Sequence, residues 1–277
     1  MAHRMIACDI DGTLLNNEAH FTDHTLATLR RCIGRGTAVA LVTGRRLRSS
    51  IEVARMIDRD IPIVANDGAV VLAPDGTVIH SDTFDPDRAL RIAEACLATG
   101  HSVFMHRFTF EGPDLYYKLH PGFAPSETYI KLIGADAEDL EEIPQSLSWR
   151  PLKISTMGAK DALEALQLKM GLEDSSTITF DMYANCYWLQ AVPPGCDKGA
   201  GLKILARHLK IAPGDIVAFG DNYNDLPMFE VAGTAVAMSN APDDIKARAD
   251  VITSSNDKDG VARFLDDVVL CSPPQVP

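Results

Sequence analysis

Short apolar runs alternate with amphipathic stretches through the first third of the chain. Residues 5–8, 38–42 and 62–65 have the continuous apolar pattern of buried strands, whereas 22–35 and 46–58 repeat apolar residues at helical spacing. Strands that alternate with helices are typical of a parallel sheet with crossover helices. The pattern therefore predicts an α/β unit at the start of the chain.

The alternation stops after a predicted hairpin, whose strands over 70–72 and 77–79 flank Pro74-Asp75-Gly76. Asp85-Pro86 then begins a helix in the N-cap and first-turn positions. Four strand patterns follow, with a helix over 160–170 between the second and the third. These strands are predicted over 129–133, 152–157, 178–182 and 187–192. The middle of the chain is thus predicted to be an α+β module.

The alternation returns after Pro193-Pro194-Gly195. The predicted elements are helices over 198–210, 226–232 and 243–248, with strands over 216–219 and 235–238. Because both ends of the chain have the same pattern, we expect one core domain from residues 1–83 and 190–277, with an inserted domain over 84–189. The predicted fold class is α/β, with a Rossmann-like parallel-sheet core. The tail, 272–277, is expected to be disordered.

Composition narrows the class of protein. The 277 residues include 26 Lys and Arg against 38 Asp and Glu, a formal net charge of −12. A nucleic-acid binder needs a basic face to neutralise phosphates, so no nucleic-acid partner is expected. Hydrophobic residues make up 46% of the chain, which is enough for a buried core and excludes disorder over most of its length.

The apolar runs also bear on location. They are far shorter than the roughly 20 residues that cross a bilayer, and the first of them, 5–8, is too short for a secretory signal. We therefore expect a cytoplasmic protein without a membrane partner. The six cysteines form no C-x-x-C pair, which indicates buried thiols and not a zinc site or disulfides.

Polar residues follow three of the predicted core strands. Asp9 follows the first strand, Thr43 the second, and Gly220-Asp221 a later one. Because the carboxyl ends of parallel strands line one crevice, the pattern collects a polar set at one sheet edge. This set is Asp9, Asp11, Thr43, Asp221, Asn224 and Asp225.

Two interpretations of these carboxylates compete. A single Asp after a strand is usually turn chemistry or a helix cap. Turn chemistry does not explain the whole set, because like charges at 4 Å repel by roughly 4 kcal/mol per pair at an effective dielectric near 20. A cation is needed to offset this repulsion. A cluster of Asp and Asn oxygens without His or Cys is typical of a Mg²⁺ site.

The remaining residues fit a phosphate. Thr43-Gly44 offers a hydroxyl and open backbone, Gly12 allows a close backbone approach, and Lys198 supplies a positive charge at the start of a helix. The sequence therefore predicts a site for a small phosphorylated metabolite at the sheet edge.

Four segments, in order, resemble the motifs of the haloacid dehalogenase-like (HAD) hydrolases. They are Asp9-Ile-Asp11-Gly12-Thr13-Leu14-Leu15, Thr43-Gly44-Arg45, Lys198-Gly199 and Gly220-Asp221-Asn222-Tyr223-Asn224-Asp225. The resemblance runs over about 5–270 and is closest to the Cof-type sugar-phosphate phosphatases with a type IIB cap. It implies a Rossmann-like core with an inserted α+β cap domain over 84–189.

The resemblance also implies a mechanism. Asp9 would be the nucleophile that forms an aspartyl-phosphate, and Asp11 the acid and base. The metal, Mg²⁺, would be bound by Asp9, Asp11 through its backbone carbonyl, Asp221 and Asp225. The groups that hold the phosphoryl oxygens would be Ile10 through its backbone, Thr43, Gly44, Lys198 and Asn224.

Two residues depart from the family pattern or are ambiguous within it. The family commonly carries Asn-Gly-Ala after the third core strand, whereas here Asn66-Asp67-Gly68-Ala69 has Asp in that place. Asp67 either contacts substrate or caps a turn, and we favour the turn. Arg45 is equally suited to a salt bridge and to phosphate contact.

Two other functions share parts of this pattern. A sugar phosphomutase uses the same aspartyl-phosphate but transfers the phosphoryl group to another sugar hydroxyl. A phospho-acceptor regulatory module also has an acidic Mg²⁺ pocket, but it is far shorter and lacks an acid two residues after its Asp. Asp11 and the insert of roughly a hundred residues favour the enzyme. The oligomeric state is not predicted.

Overall fold

The computed structural model describes residues 3–181 and 183–268, so the predicted disordered tail lies outside the described residues. The strands are β1 (Met5–Cys8), β2 (Ala38–Val42), β3 (Ile63–Ala65), β4 (Val70–Leu72), β5 (Val78–Ser81), β6 (Val103–Arg107), β7 (Leu115–Lys118), β8 (Ala137–Asp139), β9 (Pro151–Gly158), β10 (Ser176–Asp181), β11 (Cys186–Ala191), β12 (Ile216–Gly220), β13 (Thr234–Met238) and β14 (Val251–Thr253). The helices are α1 (Asp23–Gly34), α2 (Leu47–Ile57), α3 (Pro86–Ala98), α4 (Ala124–Ile133), α5 (Lys160–Met170), α6 (Lys198–His208), α7 (Leu226–Phe229), α8 (Asp243–Lys246) and α9 (Gly260–Val268).

The chain folds into two compact units. One contains the described residues up to His80 and from Asp197 onward, and the other spans Ser81–Cys196. The second boundary follows β11, whereas the sequence analysis places it inside that strand, between residues 189 and 190. The difference arises because all of β11 pairs with β10 in the sheet of the second unit.

The first unit is built on a mostly parallel sheet. Among the described residues, its strands lie in the order β14-β13-β12-β1-β2-β3-β4-β5. The strands from β14 to β3 are parallel to their neighbours, and β4 is antiparallel to β3. Because β12, β1, β2 and β3 are direct neighbours, the residues that follow their carboxyl ends share one edge of the sheet.

Helices pack on both faces of this sheet. Leu202 and Leu205 of α6 lie in the same buried cluster as Val42 of β2. On the other face, Phe264 of α9 contacts Phe219 of β12 edge to face, with ring centroids 5.3 Å apart. A parallel sheet covered on both faces explains why its strands are continuous apolar runs in the sequence.

The first residues of the helices are set by capping side chains. Asp85 accepts hydrogen bonds from the backbone N–H groups of Asp87 and Arg88, which confirms the predicted start of α3. At the start of α6, the Asp197 carboxylate accepts from the N–H of Ala200 at 2.6 Å. This cap fixes the first turn of α6, to which Lys198 belongs.

The second unit is a mainly antiparallel sheet with helices on both faces. Its described strands lie in the order β10-β11-β9-β6-β7-β8, and only the β7–β8 pair is parallel. Helices α3 and α5 pack on one face, where Leu163 and Leu166 meet Ile154 and Leu189. The predicted fold class, a parallel α/β core with an inserted α+β domain, is confirmed.

The predicted strand over 129–133 is wrong, because these residues belong to α4. Pro125 lies in the first turn of this helix, a position that proline favours. Tyr129, Ile130 and Ile133 then pack, at helical spacing, against the buried cluster that contains Phe104. Five residues, four of them apolar, are too few to distinguish a strand from one face of a helix.

Strands β6, β7 and β8 have no counterpart among the predicted elements. They lie in the region where prolines and mixed polarity obscure the alternation, and their pairing with β9 and with one another establishes them as strands. Within the described part of the chain, no helix combines the length and apolarity that a membrane crossing requires.

Candidate active site

Three of the predicted site residues, Asp9, Lys198 and Asp225, contact one another in the first unit. The Lys198 ammonium donates to Asp9 Oδ1 at 2.7 Å and to Asp225 Oδ1 at 2.5 Å. All three side chains are buried, and Lys198 is only 1% exposed. Because a buried ion pair needs good geometry to offset desolvation, this arrangement defines where the Asp9 carboxylate sits.

Asp225 also anchors the loop that carries Asp221. Its other oxygen, Oδ2, accepts from the N–H groups of Asp221 and Asn222, both at 2.9 Å. Asp225 is 0% exposed, and both of its oxygens thus hold protein groups. Asp225 therefore holds both Lys198 and the Asp221 loop, and its place among the metal ligands stays a prediction.

Asp221 lies against the loop that follows β1. Thr13 donates its hydroxyl to Asp221 Oδ1 at 2.8 Å. Gly12 has a φ of +76°, and a Cβ there would lie 2.4 Å from Asp221 Oδ2. The close approach that Gly12 permits is thus the approach of Asp221, where the sequence analysis expects a phosphate.

Asp11 lies outside the group formed by Asp9, Asp221 and Asp225, and it is paired with Arg45. The guanidinium donates Nε–H to Asp11 Oδ2 at 2.6 Å and an Nη2–H to Oδ1 at 2.5 Å. Such a bidentate pair is the most specific contact between arginine and a carboxylate. The ambiguity over Arg45 is resolved in favour of a salt bridge.

The phosphate-binding candidates of β2 and the Asp225 loop meet around Asp67. Thr43 Oγ1 accepts from the N–H of Arg45 at 3.1 Å, so its own proton can be donated to another group. A Cβ on Gly44 would lie 2.9 Å from Asp67 Oδ1. Asn224 donates Nδ2–H to the same oxygen at 2.8 Å. Asp67 is buried among these groups and also lies in the turn after β3, so its role stays a prediction.

Ile10 serves the turn after β1. Its carbonyl oxygen accepts from the N–H groups of Leu14 and Leu15, both at 3.0 Å. The resemblance implies that the backbone of Ile10 contacts a phosphoryl oxygen. The backbone N–H of Ile10 is the group that can donate to such an oxygen.

Burial dominates the electrostatics of the cluster. It raises the pKa of Asp9 from 3.8 to about 7, with Asp225 adding to the rise and Lys198 opposing it. Burial, followed by the Asp225 and Asp9 charges, raises the pKa of Asp221 well above its usual value. Burial lowers the pKa of Lys198, but the carboxylates of Asp225, Asp9 and Asp67 outweigh it and leave the pKa raised. The site therefore holds more negative charge than its lysine balances.

The donor set fits a hard divalent cation. Asp9, Asp221 and Asp225 each offer a carboxylate oxygen, and these atoms lie within 4.8 Å of one another. The group contains oxygen donors alone, which is the chemistry that Mg²⁺ favours. Since Asp225 already accepts three hydrogen bonds, Asp9 and Asp221 are the carboxylates best placed to bind the cation directly.

These shifts predict how the metal-free protein responds to pH. A carboxyl whose pKa is raised by folding stabilises the fold fully below about pH 4, and this contribution is lost as the pH rises through the folded pKa, about 7 for Asp9. In a chelator, we expect the melting temperature of the wild type to fall from about pH 5 to about pH 8. The melting temperature of the Asp9→Asn/Asp221→Asn double variant should fall less over the same pH range. An equal fall in both proteins would contradict the assignment of this pH dependence to Asp9 and Asp221.

Several contacts were not identified from the sequence. Thr13 lies within the first motif, and a polar residue next to Gly12 is the signal that could have indicated a contact with a metal ligand. Asn240 donates Nδ2–H to the Gly12 carbonyl at 2.8 Å and so supports the same loop. Nothing near Asn240 in the sequence indicates this, because the two residues are 228 positions apart.

The family model of haloacid dehalogenase-like hydrolases matches residues 6–265. The chain is similar to HMP-PP phosphatase of Cronobacter sakazakii, with 30% identity over 86% of the chain and 85% of that protein. It is also similar to 5-amino-6-(5-phospho-D-ribitylamino)uracil phosphatase YitU of Bacillus subtilis, with 28% identity over 94% of the chain and 96% of that protein.

A third relative is longer. The chain is 29% identical to Endoribonuclease YBEY, chloroplastic, of Arabidopsis thaliana over 93% of its own length, but it spans only 45% of that protein. The name of that relative is therefore not carried over to this chain.

The fold is also that of a solved structure. The subclass IIB sugar phosphatase BT4131 superposes with a TM-score of 0.77 at 19% identity, over 95% of this chain and 98% of that one. At this identity the likeness shows the fold alone. With four motifs in one crevice and a family model over most of its length, the chain belongs to the haloacid dehalogenase-like hydrolases, as a Cof-type phosphatase acting on phosphoric monoesters.

Proposed function

We propose that the chain is a Mg²⁺-dependent phosphatase that hydrolyses small phosphomonoesters, sugar phosphates among them, through an aspartyl-phosphate on Asp9. The observation that carries this proposal is the buried Asp9 carboxylate, placed by Lys198 beside Asp221 at the carboxyl edge of the sheet. The names of two relatives describe phosphatases of small phosphorylated metabolites, which supports the substrate class.

In the first step, a carboxylate oxygen of Asp9 attacks phosphorus, and the bond from phosphorus to the leaving oxygen breaks. Asp11 gives its proton to that oxygen, which leaves as an alcohol. In the second step a water attacks the phosphorus of the aspartyl-phosphate, Asp11 takes a proton from the water, and inorganic phosphate is released with Asp9 restored.

The other residues hold and balance charge during these steps. Lys198 keeps Asp9 in place and faces the transferring group, and Thr43, Gly44, Asn224 and the backbone of Ile10 receive its oxygens. When bound by Asp9 and Asp221, with the Asp11 carbonyl, Mg²⁺ would supply positive charge that lets an anionic nucleophile approach an anionic substrate. Arg45 orients Asp11 through hydrogen bonds to both of its oxygens, and one of these bonds must break for Asp11 to carry the proton that it donates.

The test is phosphate release from a panel of sugar phosphates and an aryl phosphate. We expect activity to disappear in EDTA and to return when Mg²⁺ is added in excess, because both carboxylate ligands then regain their cation. Product analysis with a hexose 1-phosphate separates the phosphomutase, since the hydrolase yields free phosphate and the mutase an isomerised sugar phosphate. Full turnover in EDTA would contradict metal dependence.

A further inference from the structure

The loop after β3 places another buried carboxylate, that of Asp67, beside the residues predicted to bind phosphate. Asn66 and Asp67 both have left-handed backbone conformations, with φ values of +51° and +53°. The loop is tied to the Thr43 loop, because the Asp67 N–H donates to the Thr43 carbonyl at 3.1 Å and the Asn66 N–H to the Arg45 carbonyl at 2.9 Å. Such strain in non-glycine residues persists where the surroundings hold it, and often at functional sites.

The other side of the loop rests on the start of α6. Gly68 has a φ of +93°, and a Cβ there would lie 2.0 Å from the Asp197 carbonyl oxygen. Asp197 is the N-cap residue that precedes Lys198. The Asp67 side chain is therefore positioned by two loops that themselves carry phosphate-binding candidates, and it is 4% exposed.

The contact between Asp67 and Asn224 has a definite polarity. An ionised carboxylate has no proton to donate, so it accepts only, whereas an amide offers both a carbonyl oxygen and an NH₂ group. Asn224 must then turn its NH₂ group toward Asp67 Oδ1, 2.8 Å away. With one N–H used in this bond, the other remains for a ligand oxygen, and the amide is prevented from presenting its carbonyl oxygen to an anion.

We propose that Asp67 is a positioning residue for the phosphoryl group, acting through Asn224 by fixing the orientation of its amide. The proposal rests on the proposed function, since it takes the phosphoryl group to bind between Asn224 and the Thr43-Gly44 loop. The proposal also explains why residue 44 is glycine, because any side chain there would collide with the Asp67 carboxylate.

The test is a double-mutant cycle on the binding of inorganic phosphate, measured by calorimetry with Mg²⁺ present. We expect Asp67→Ala and Asn224→Ala each to raise the dissociation constant about tenfold, and the double variant to raise it no further than Asn224→Ala alone. Asp67→Asn, which can both accept and donate, no longer fixes the orientation of the Asn224 amide and should raise the dissociation constant by an intermediate factor of about threefold. Asp250→Ala is the matched control, because Asp250 accepts a backbone bond from Ala235 outside the site.

Independent effects that multiply to about a hundredfold in the double variant would overturn the proposal. A second comparison covers the case in which Asp67→Ala does not fold. Interchanging the two side chains, Asp67→Asn with Asn224→Asp, keeps a hydrogen bond between them but removes the amide from position 224. We expect a melting temperature near that of the wild type with weak phosphate binding, and wild-type phosphate binding would overturn the proposal.

Phosphate binding and turnover fail separately in this design. If the wild type binds phosphate but does not hydrolyse esters, the proposed function is contradicted. The double-mutant cycle on phosphate binding can still be interpreted in that case. A wild type that does not bind inorganic phosphate with Mg²⁺ present overturns the role of Asp67.

Discussion

Asp9→Asn is expected to release phosphate from a sugar phosphate at least about 10⁴-fold more slowly than the wild type, because the amide cannot form the covalent intermediate. The substitution is nearly isosteric and removes a charge that is buried beside Asp225. We therefore expect the metal-free variant to be no less stable than the wild type in urea at about pH 8, because Lys198 keeps Asp225 as its partner and the burial of one charge is relieved. Steady-state phosphate release and urea unfolding measure the two effects separately.

The control is Asp250→Asn, which changes an exposed carboxylate of the same unit whose partner is the Ala235 N–H. It should leave turnover within about twofold of the wild type. An Asp9→Asn protein as active as this control would remove Asp9 as the nucleophile. Acid quench of the wild type during turnover with a ³²P-labelled ester should trap labelled protein, and the Asp9→Asn protein should trap none.

Lys198→Met is expected to lower both activity and stability. It removes the cation that lies 2.7 Å from Asp9 and 2.5 Å from Asp225 and leaves two buried carboxylates facing each other. Loss of one partner from a buried ion pair costs about 3–5 kcal/mol of unfolding free energy. We expect a loss of that size in urea at neutral pH with a chelator present, and a fall in kcat/KM of about 10³-fold with Mg²⁺.

Lys203→Met is a matched control, because Lys203 lies on the same helix and is exposed. Its unfolding free energy and kcat/KM should remain close to the wild-type values. Lys198→Arg keeps the charge in a larger group, so it should recover part of the lost stability without full activity. If Lys198→Met unfolds like Lys203→Met, the ion pair does not hold the site together.

The sheet edge was predictable because it depends on local pattern. The apolar runs before Asp9, Thr43 and Asp221 are the parallel strands β1, β2 and β12, and the carboxyl ends of such strands converge in any sheet of this class. The start of α3 at Asp85-Pro86 was predictable for a similar reason, since capping depends on the residues next to the helix.

The inserted unit shows where local pattern is insufficient. Residues 129–133 are apolar enough for a strand, yet they form the end of α4, where Tyr129 and Ile133 pack on the buried cluster that contains Phe104. Strand β8 contains Ala137 and two acidic residues, and its pairing with β7 is what makes it a strand. Short segments of this kind take the structure that their partners permit.

The sequence by itself determined most of the core elements, though not β14 and α9. It also determined the gathering of acidic residues at one edge and the family that these motifs indicate. Only the tertiary structure decided which partner each acidic residue contacts. It pairs Asp11 with Arg45, uses both oxygens of Asp225 for Lys198 and the Asp221 loop, and places Asp67 against Asn224. The physical reason is that a carboxylate is the same group wherever it occurs in a sequence. Its role is set by the donors within hydrogen-bond distance and by its burial, and both come from residues far away along the chain.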